Sequence, residues 1–369
     1  MAQEAARDLA EKHLKPIAAK IDKEHMFPAD VVKLLGELGF MGVAIPEEYG
    51  GAGMDYVTYV LIMEEISRAC ASTGIIVSVN NSLACHPIYT FGNEEQKKKY
   101  LVPLASGKKL GALSMTEPGA GSDPAAAQTV FQDKGDHWLV NGRKIFVTNG
   151  READLVVLLG TVDRSLGAKG LITAIVEKGT PGFEVGKLED KLGIRGSSTA
   201  EFILENCKIP KENTLGEPGS GFKVCMSTLD AGRIGVAGQA LGIARASIEE
   251  AIAHAKERVQ FGKPIAENQA IQWMIADMTT EYEAARLLTL RAAWLKDRGE
   301  RYSREAAMAK LKASEAASFC ATKCLQIHGG YGYTTDYAAE RHFRDARITE
   351  IYEGTSEIMR MVVAGWMLK

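Results

Sequence analysis

"HWLVNGRKIFVTNG", residues 137–150, is where the chain changes character. Two short runs flank Asn141-Gly142. That dipeptide suits a type I′ turn, in which both central residues need positive φ. The stretch therefore predicts a β-hairpin. Strand candidates follow it: "DLVVLLGTV", "KGLITAIVEK" and "TAEFILENCKI", separated by Gly, Pro and Asp turns. Together they imply a mostly antiparallel β region of about a hundred residues, close to a common domain size.

Both flanks read differently. Upstream, apolar residues recur at three- and four-residue steps through residues 9–21, 31–38 and 57–66, as on helices that bury one face. "IPEEYGGAG", 45–53, interrupts them as a loop. Downstream, long alanine-rich helices are expected at about 234–258, 266–297 and 303–327. In the second, Ile271, Met274, Ile275, Met278, Tyr282 and Ala285 share one face. The expected fold class is α+β, mainly α. It comprises an N-terminal helical domain over 1–108, a central antiparallel β domain over 109–220, and a C-terminal helical bundle over 221–369.

Composition narrows the function classes. A hydrophobic fraction of 46% and a charged fraction of 25% are ordinary for a globular protein. A net charge of −3 gives no global attraction to nucleic acid or an anionic membrane. No apolar run approaches the ~18–20 residues that span a bilayer, so no membrane insertion is expected. The first twenty residues are charged throughout and include acids. They read as an amphipathic helix rather than a signal or transit peptide. That fits a bacterial cytoplasmic protein; a processed protein of the mitochondrial matrix would read the same. Six cysteines form no C-x-x-C pair, and seven histidines form no ligand cluster. The expectation is free, buried thiols and no metal.

Five segments carry candidate chemistry. "LSMTEPGAGSDPAAAQT", 113–129, follows a strand with glycines and hydroxyls that could cradle a phosphate or a ring, or could simply join two domains. "LDAGRIGVAGQALG", 229–242, has glycines at 232, 235, 238 and 242. It lacks the dinucleotide spacing and a preceding strand, and reads as a close helix–helix contact. "KERVQFGKPI", 256–265, suits packing on a nucleotide or a plain helix connector. "QIHGGYGYTTDY", 326–337, allows close backbone approach or an ordinary glycine C-cap. "ITEIYEGTSEIMR", 348–360, sets Glu353 between Tyr352 and Gly354, just before a helix that Thr355 or Ser356 can cap with Glu357 in its first turn.

Taken together, "EEISRACASTGIIVSVNNSL", "LGALSMTEPGAGSD", "EDKLGIRGSSTAEF", "TLDAGRIGVAGQALG", "RVQFGKPI", "QIHGGYGY" and "RHFRDARITEIYEGTSEI" resemble, in order, the acyl-CoA dehydrogenase family. The resemblance runs essentially end to end and is greatest to its short-chain, butyryl-CoA members. It implies the helical–β–four-helix-bundle fold, FAD, oxidation of an acyl-CoA thioester to the trans-2-enoyl-CoA, electron-transfer flavoprotein as acceptor, and a homotetramer built as a dimer of dimers. By the same resemblance Glu353 is the base that removes the α-proton, and the thioester meets Glu353 N–H and Gly354. Leu113, Met115, Thr116, Gly121 and Ser122 line the flavin, with Ser122 also near the CoA chain. Phe146, Val147 and Thr148 lie behind the flavin ring; many relatives have tryptophan at the position of Phe146. Arg258, Phe261, Gln269, Gln326, Ile327, Gly329 and Gly330 meet the adenine end across a subunit interface. Thr355, Ser356 and Glu357 also contact FAD, while Asp230 and Arg233 contact substrate. Dehydration is expected to raise the pKa of Glu353, with the bulk of Tyr352 and the smallness of Gly354 shaping a narrow slot. Branched- and long-chain relatives carry their base at the position held here by Gly232. His328 departs from the family pattern and reads as a packing residue or a modulator of flavin potential. Alternatives are the enoyl-CoA reductase direction, a cyclic or branched short substrate, an oxidase, and a non-catalytic scaffold.

Overall fold

The computed structural model describes residues 1–217 and 219–368. Helix Tyr56–Ala69 starts at Asp55, whose carboxylate accepts from Thr58 N–H at 2.7 Å and so satisfies one free donor of the first turn. Ile62, Met63 and Ile66 pack with Leu9, Leu14, Ile21 and Leu35 into one core, as the periodicity predicts. Helix Ala71–Ser78 runs on through a wider turn at Val79–Cys85 into His86–Phe91. In that turn Asn80 is fully buried and fully used. It donates to the carbonyls of Met41 and Leu104, and accepts from Gly111 N–H at 2.9 Å. The last bond fixes where the first strand begins, and hence the loop after it.

The central sheet contains β1 (Gly111–Ser114), β2 (Val130–Asp133), β3 (His137–Thr148), β4 (Leu155–Thr161), β5 (Leu171–Glu177), β6 (Phe183–Leu188) and β7 (Thr199–Pro210). Its order is β1-β4-β2-β3-β7-β6, with β5 also on β4. β4 pairs in parallel with β1 and β2; all other pairings are antiparallel.

The hairpin expected at Asn141-Gly142 is not there. β3 runs straight through both residues, and neither has positive φ. A register shift between Val140 and Gly142 marks a β-bulge. Glycine is required there because a Cβ would run into the Thr129 side chain. Asn141 uses its side chain to accept from Asn206 N–H at 2.8 Å on β7. The chain actually reverses at residues 134–136, where Gly135 has φ +89° and Lys134 N–H bonds His137 O at 3.0 Å.

The C-terminal part is built on helix Gly221–Glu257, which starts well before the expected position near 234. At 1.5 Å per residue it is about 55 Å long. Helices Gln269–Asp297 and Ser303–His328 pack on it, followed by Ala339–Ile348 and Ser356–Met367. The interior is rich in alanine, so the helices approach closely. The glycines of 229–242 do what their spacing suggested. A Cβ at Gly235 would meet Ser78 and Tyr59, one at Gly238 would meet Met63, and one at Gly242 would meet the backbone of Glu64. Buried Glu64 and Glu65 face Arg245 and Arg286 across this contact, and Arg7 from the first helix. All six cysteines are buried and free.

Candidate active site

The loop between helices Ala339–Ile348 and Ser356–Met367 carries Glu353. Its near end is clamped. The Arg344 guanidinium reaches Asp22 at 2.6 and 2.9 Å and the Leu192 carbonyl at 3.1 Å. Asp345 accepts from Ile194 N–H at 2.5 Å. Tyr352 is hydrogen-bonded through its hydroxyl to buried Gln239 and packs on the bundle core. It thus anchors the loop to the bundle. The far end is capped by Thr355, which accepts from Ile358 N–H at 3.3 Å. Between these anchors the backbone turns left-handed twice, with φ +51° at Glu353 and +101° at Gly354. A non-glycine residue held there costs about 1–3 kcal/mol, and such strain persists only where the surroundings impose it. Gly354 is small for two reasons: its φ, and Met359, which a Cβ would strike.

Glu353 is half-buried as a residue, yet both carboxylate oxygens are shielded from solvent. Among the described residues neither has a hydrogen-bond partner. Burial pushes its pKa up to about 7, while Lys310 and then Arg233 pull it down. Arg233 is 5% exposed and paired with Asp230 at 2.6 Å, and its Nε has no partner among the described residues. Asp230 also accepts from Ser303 Oγ. Gly232, next to Arg233 in the chain, leaves the volume that the Glu353 carboxylate occupies. The site therefore holds a dehydrated carboxylate with open lone pairs between two buried cations.

Residues 113–122 and 144–148 are knitted into one group. Thr116 O accepts from Ile145 N–H at 2.9 Å. Lys144 is fully buried; its ammonium donates to Met115 O at 3.0 Å and to Glu117 at 2.7 Å. Glu117 in turn accepts from the N–H groups of Gln128 and Thr129. This buried pair holds the loop carrying Leu113, Met115 and Thr116 against β3. A second bulge, between Lys144 and Val147, gives Phe146 a φ of +58° and leaves the residue 61% exposed. Val147 is buried and Thr148 half-buried, while Gly121 and Ser122 are exposed. An aromatic face bared beside a hydroxyl-bearing loop suits a flat heterocycle.

Arg258, Ile327, Gly329 and Gly330 come together elsewhere, in a cavity of about 470 Å³ that also includes His254, Gln260 and Tyr331. A Cβ at either glycine would meet nothing within 4 Å, so backbone is accessible there. Phe261 (98% exposed), Gln269 and Gln326 stand outside this lining. Among the described residues no hydrogen bond joins this cavity to the 113–148 group. His328 stacks on His254 at 4.2 Å, and its Nδ1 lies 2.8 Å from the Cys324 carbonyl. It lines the same cavity, beside Ile327 and Gly329. Ser356 is buried and Glu357 exposed at the start of the last helix.

Three participants were not anticipated. Lys310 donates to the Gly354 carbonyl at 2.6 Å. Its place on the stripe of Ala306, Ala309, Ala313 and Ala317 was the available signal, since a lysine there must be buried. Gln239 and the Glu117–Lys144 pair lie on separate segments, and only the tertiary fold joins them to their partners.

Family models for the acyl-CoA dehydrogenase N-terminal, middle and C-terminal domains match residues 1–108, 112–207 and 219–368. The human short-chain specific acyl-CoA dehydrogenase, mitochondrial, is 55% identical over 369 residues, covering 100% of this chain and 90% of the relative. The short-chain specific acyl-CoA dehydrogenase of Clostridium acetobutylicum is 50% identical, over 99% of this chain and 96% of its own. Butyryl-CoA dehydrogenase from Megasphaera elsdenii superposes with a TM-score of 0.98 at 45% identity, covering 100% of this chain and 97% of the other. A three-domain match that leaves almost no residue unaccounted for, over a fold superposing end to end, has one meaning: this chain belongs to the acyl-CoA dehydrogenase family.

Proposed function

We propose that this chain is an FAD-dependent short-chain acyl-CoA dehydrogenase, with Glu353 as the base and butyryl-CoA as the substrate of choice. The observation that carries the reading is the Glu353 carboxylate, shielded from solvent and, among the described residues, without a hydrogen-bond partner, so that burial raises its pKa to about 7. A general base works best when its pKa lies near the working pH. The short-chain relatives supply the substrate class.

The residues present fit FAD. Phe146 offers a face to the flavin ring, Thr116 and Thr148 offer hydroxyls at its edge, and the Arg258–Gly330 cavity would take the adenine end. FAD held by these residues would supply the acceptor for the hydride that leaves the substrate β-carbon. Glu353 takes the α-proton onto a free lone pair. The Glu353 N–H is the donor we assign to the thioester carbonyl, where negative charge grows as the proton leaves. Arg233, fixed by Asp230, keeps the site positive as that charge develops. Because Glu353 titrates near neutrality, the same carboxyl can return a proton, so the enoyl-reducing direction uses the same residues. A relative named acryloyl-CoA reductase is 47% identical.

Electron-transfer flavoprotein is the partner we assign; a neighbour at TM-score 0.99 was solved in work on that of Acidaminococcus fermentans. Exposed Phe261 and Tyr333 beside the adenine cavity, and Trp273, Leu287 and Trp294 on the bundle, support a homotetramer. We place the protein in a bacterial cytoplasm, with the mitochondrial matrix as the alternative. Among the described residues no helix is long and apolar enough to cross a membrane.

Anaerobic titration with butyryl-CoA tests the reading. Rapid bleaching of the flavin absorbance with a long-wavelength charge-transfer band is expected. Flavin that stays yellow would refute the substrate class, and a colourless protein that FAD cannot reconstitute would refute the enzyme.

A further inference from the structure

Lys310 sits in the middle of helix Ser303–His328, fully buried. A buried ammonium is costly unless it is paired and hydrogen-bonded. Among the described residues it forms no ion pair within 4 Å, and its one hydrogen bond is to the Gly354 carbonyl. That carbonyl belongs to the peptide that follows the two left-handed residues, Glu353 and Gly354. A bond there, from a separate helix, restricts the swing of the turn. Arg233 supplies the other nearby cation, but it is committed to Asp230. Tyr59 and Tyr352 also face the carboxylate, and Glu350 and Glu357 face Lys310 from the loop and the last helix.

We propose that Lys310 is a positioning residue for the proton-transfer step: it pins the Gly354 carbonyl, and with it the Glu353 backbone, and presents positive charge to the carboxylate without hydrogen-bonding it. The inference rests on Glu353 being the base. A cation bonded directly to the carboxylate would occupy a lone pair that must take the proton. One held a carbonyl away lowers the cost of ionisation and leaves both oxygens open. Burial and charge act in the same sense as this placement. Burial lowers Lys310 to about 8, Glu353 pulls it back up, and Lys310 draws Glu353 down.

Lys310→Met keeps the length and removes both donor and charge; Lys310→Gln keeps a donor without charge. Each is purified as holoenzyme beside Glu353→Gln. Two readings are taken: the pH dependence of kcat with butyryl-CoA, and the titration of the Glu353 carboxyl by infrared difference against the corresponding Glu353→Gln form. With the cation gone, the rising limb of kcat and the infrared midpoint should both move to higher pH by about one unit. In Lys310→Met, kcat near neutrality should fall at least about tenfold. Lys310→Gln should regain part of the rate at high pH while keeping the displaced limb. A limb and midpoint unmoved in the variants would overturn the inference, whatever the rate does, and would leave Lys310 a packing residue. Should Lys310→Met not fold, Lys310→Gln gives the same two readings. If Glu353→Gln itself turns over at the normal rate, the base assignment fails and this inference with it. An inactive Glu353→Gln beside wild-type titration in the Lys310 variants rejects this inference alone.

Discussion

A Cβ placed on Gly232 would overlap Oε2 of Glu353 and crowd Leu83. Helix Gly221–Glu257 and the 353 loop therefore share one small volume. Gly232→Ala should favour the helix by propensity yet overpack this spot, at a cost of about 1–3 kcal/mol. The cheaper escape is for the carboxylate to move. We expect normal FAD content and a loss of kcat of about tenfold or more, since misplacement of a base is costly. Unchanged kcat in steady-state assays would show that the carboxylate works from elsewhere.

Glu353→Gln should abolish turnover, keep the yellow flavin and stabilise the fold. Glu353 has a folded pKa of about 7 against an ordinary value of 4.5. Below pH 4.5 it is neutral in both states and costs nothing. As pH rises through 4.5 to 7 the unfolded chain gives up the proton first, so stability relative to the glutamine variant is lost. Above pH 7 the deficit levels at about 3 kcal/mol. Denaturant melts of the FAD-free proteins should coincide near pH 4.5 and separate by pH 8. Parallel curves across that range would contradict the buried carboxylate.

Lys144→Met should damage the loop at 113–122 more than removal of both partners does. The single change leaves Glu117 charged and buried, which typically costs about 3–5 kcal/mol. Adding Glu117→Gln should recover part of that loss, although the amide puts an NH2 donor where one of the two N–H groups of Gln128 and Thr129 now meets a carboxylate oxygen. A thermal-shift double-mutant cycle measures it; strict additivity would mean the pair is not coupled.

Phe146 is mostly exposed and packs on little within the chain. Phe146→Ala should leave the FAD-free melting point almost unchanged, within about 0.5 kcal/mol. FAD affinity should fall about tenfold, equivalent to about 1.4 kcal/mol. Equal losses in melting and in FAD binding would make Phe146 a fold residue.

Helices were readable where a stripe repeats, as at Ile271–Ala285, and the glycine spacing of 229–242 correctly signalled close helix contact. The start of helix Gly221–Glu257 was missed because "GFKVCMSTLD" has glycine before it and no regular stripe. Asn141-Gly142 misled for a different reason. The same dipeptide serves a turn or a bulge, and the choice lies with Thr129, which forbids a side chain at 142. At the candidate site, Thr116, Phe146 and Glu353 were each singled out from a short local segment of sequence. What escaped was the support from distant segments, Lys310 to Gly354 and Gln239 to Tyr352, because nothing local in either partner demands the other.

The Arg344 clamp has a consequence in time. It gathers Asp22 from the N-terminal helices and the Leu192 carbonyl from the β region, shortly before Glu353. Neighbouring Asp345 adds Ile194. The loop that carries Glu353 is therefore braced by all three parts of the chain at once. A chain in which one part has not yet docked should lack that bracing, so its carboxylate should be less reactive until assembly is complete.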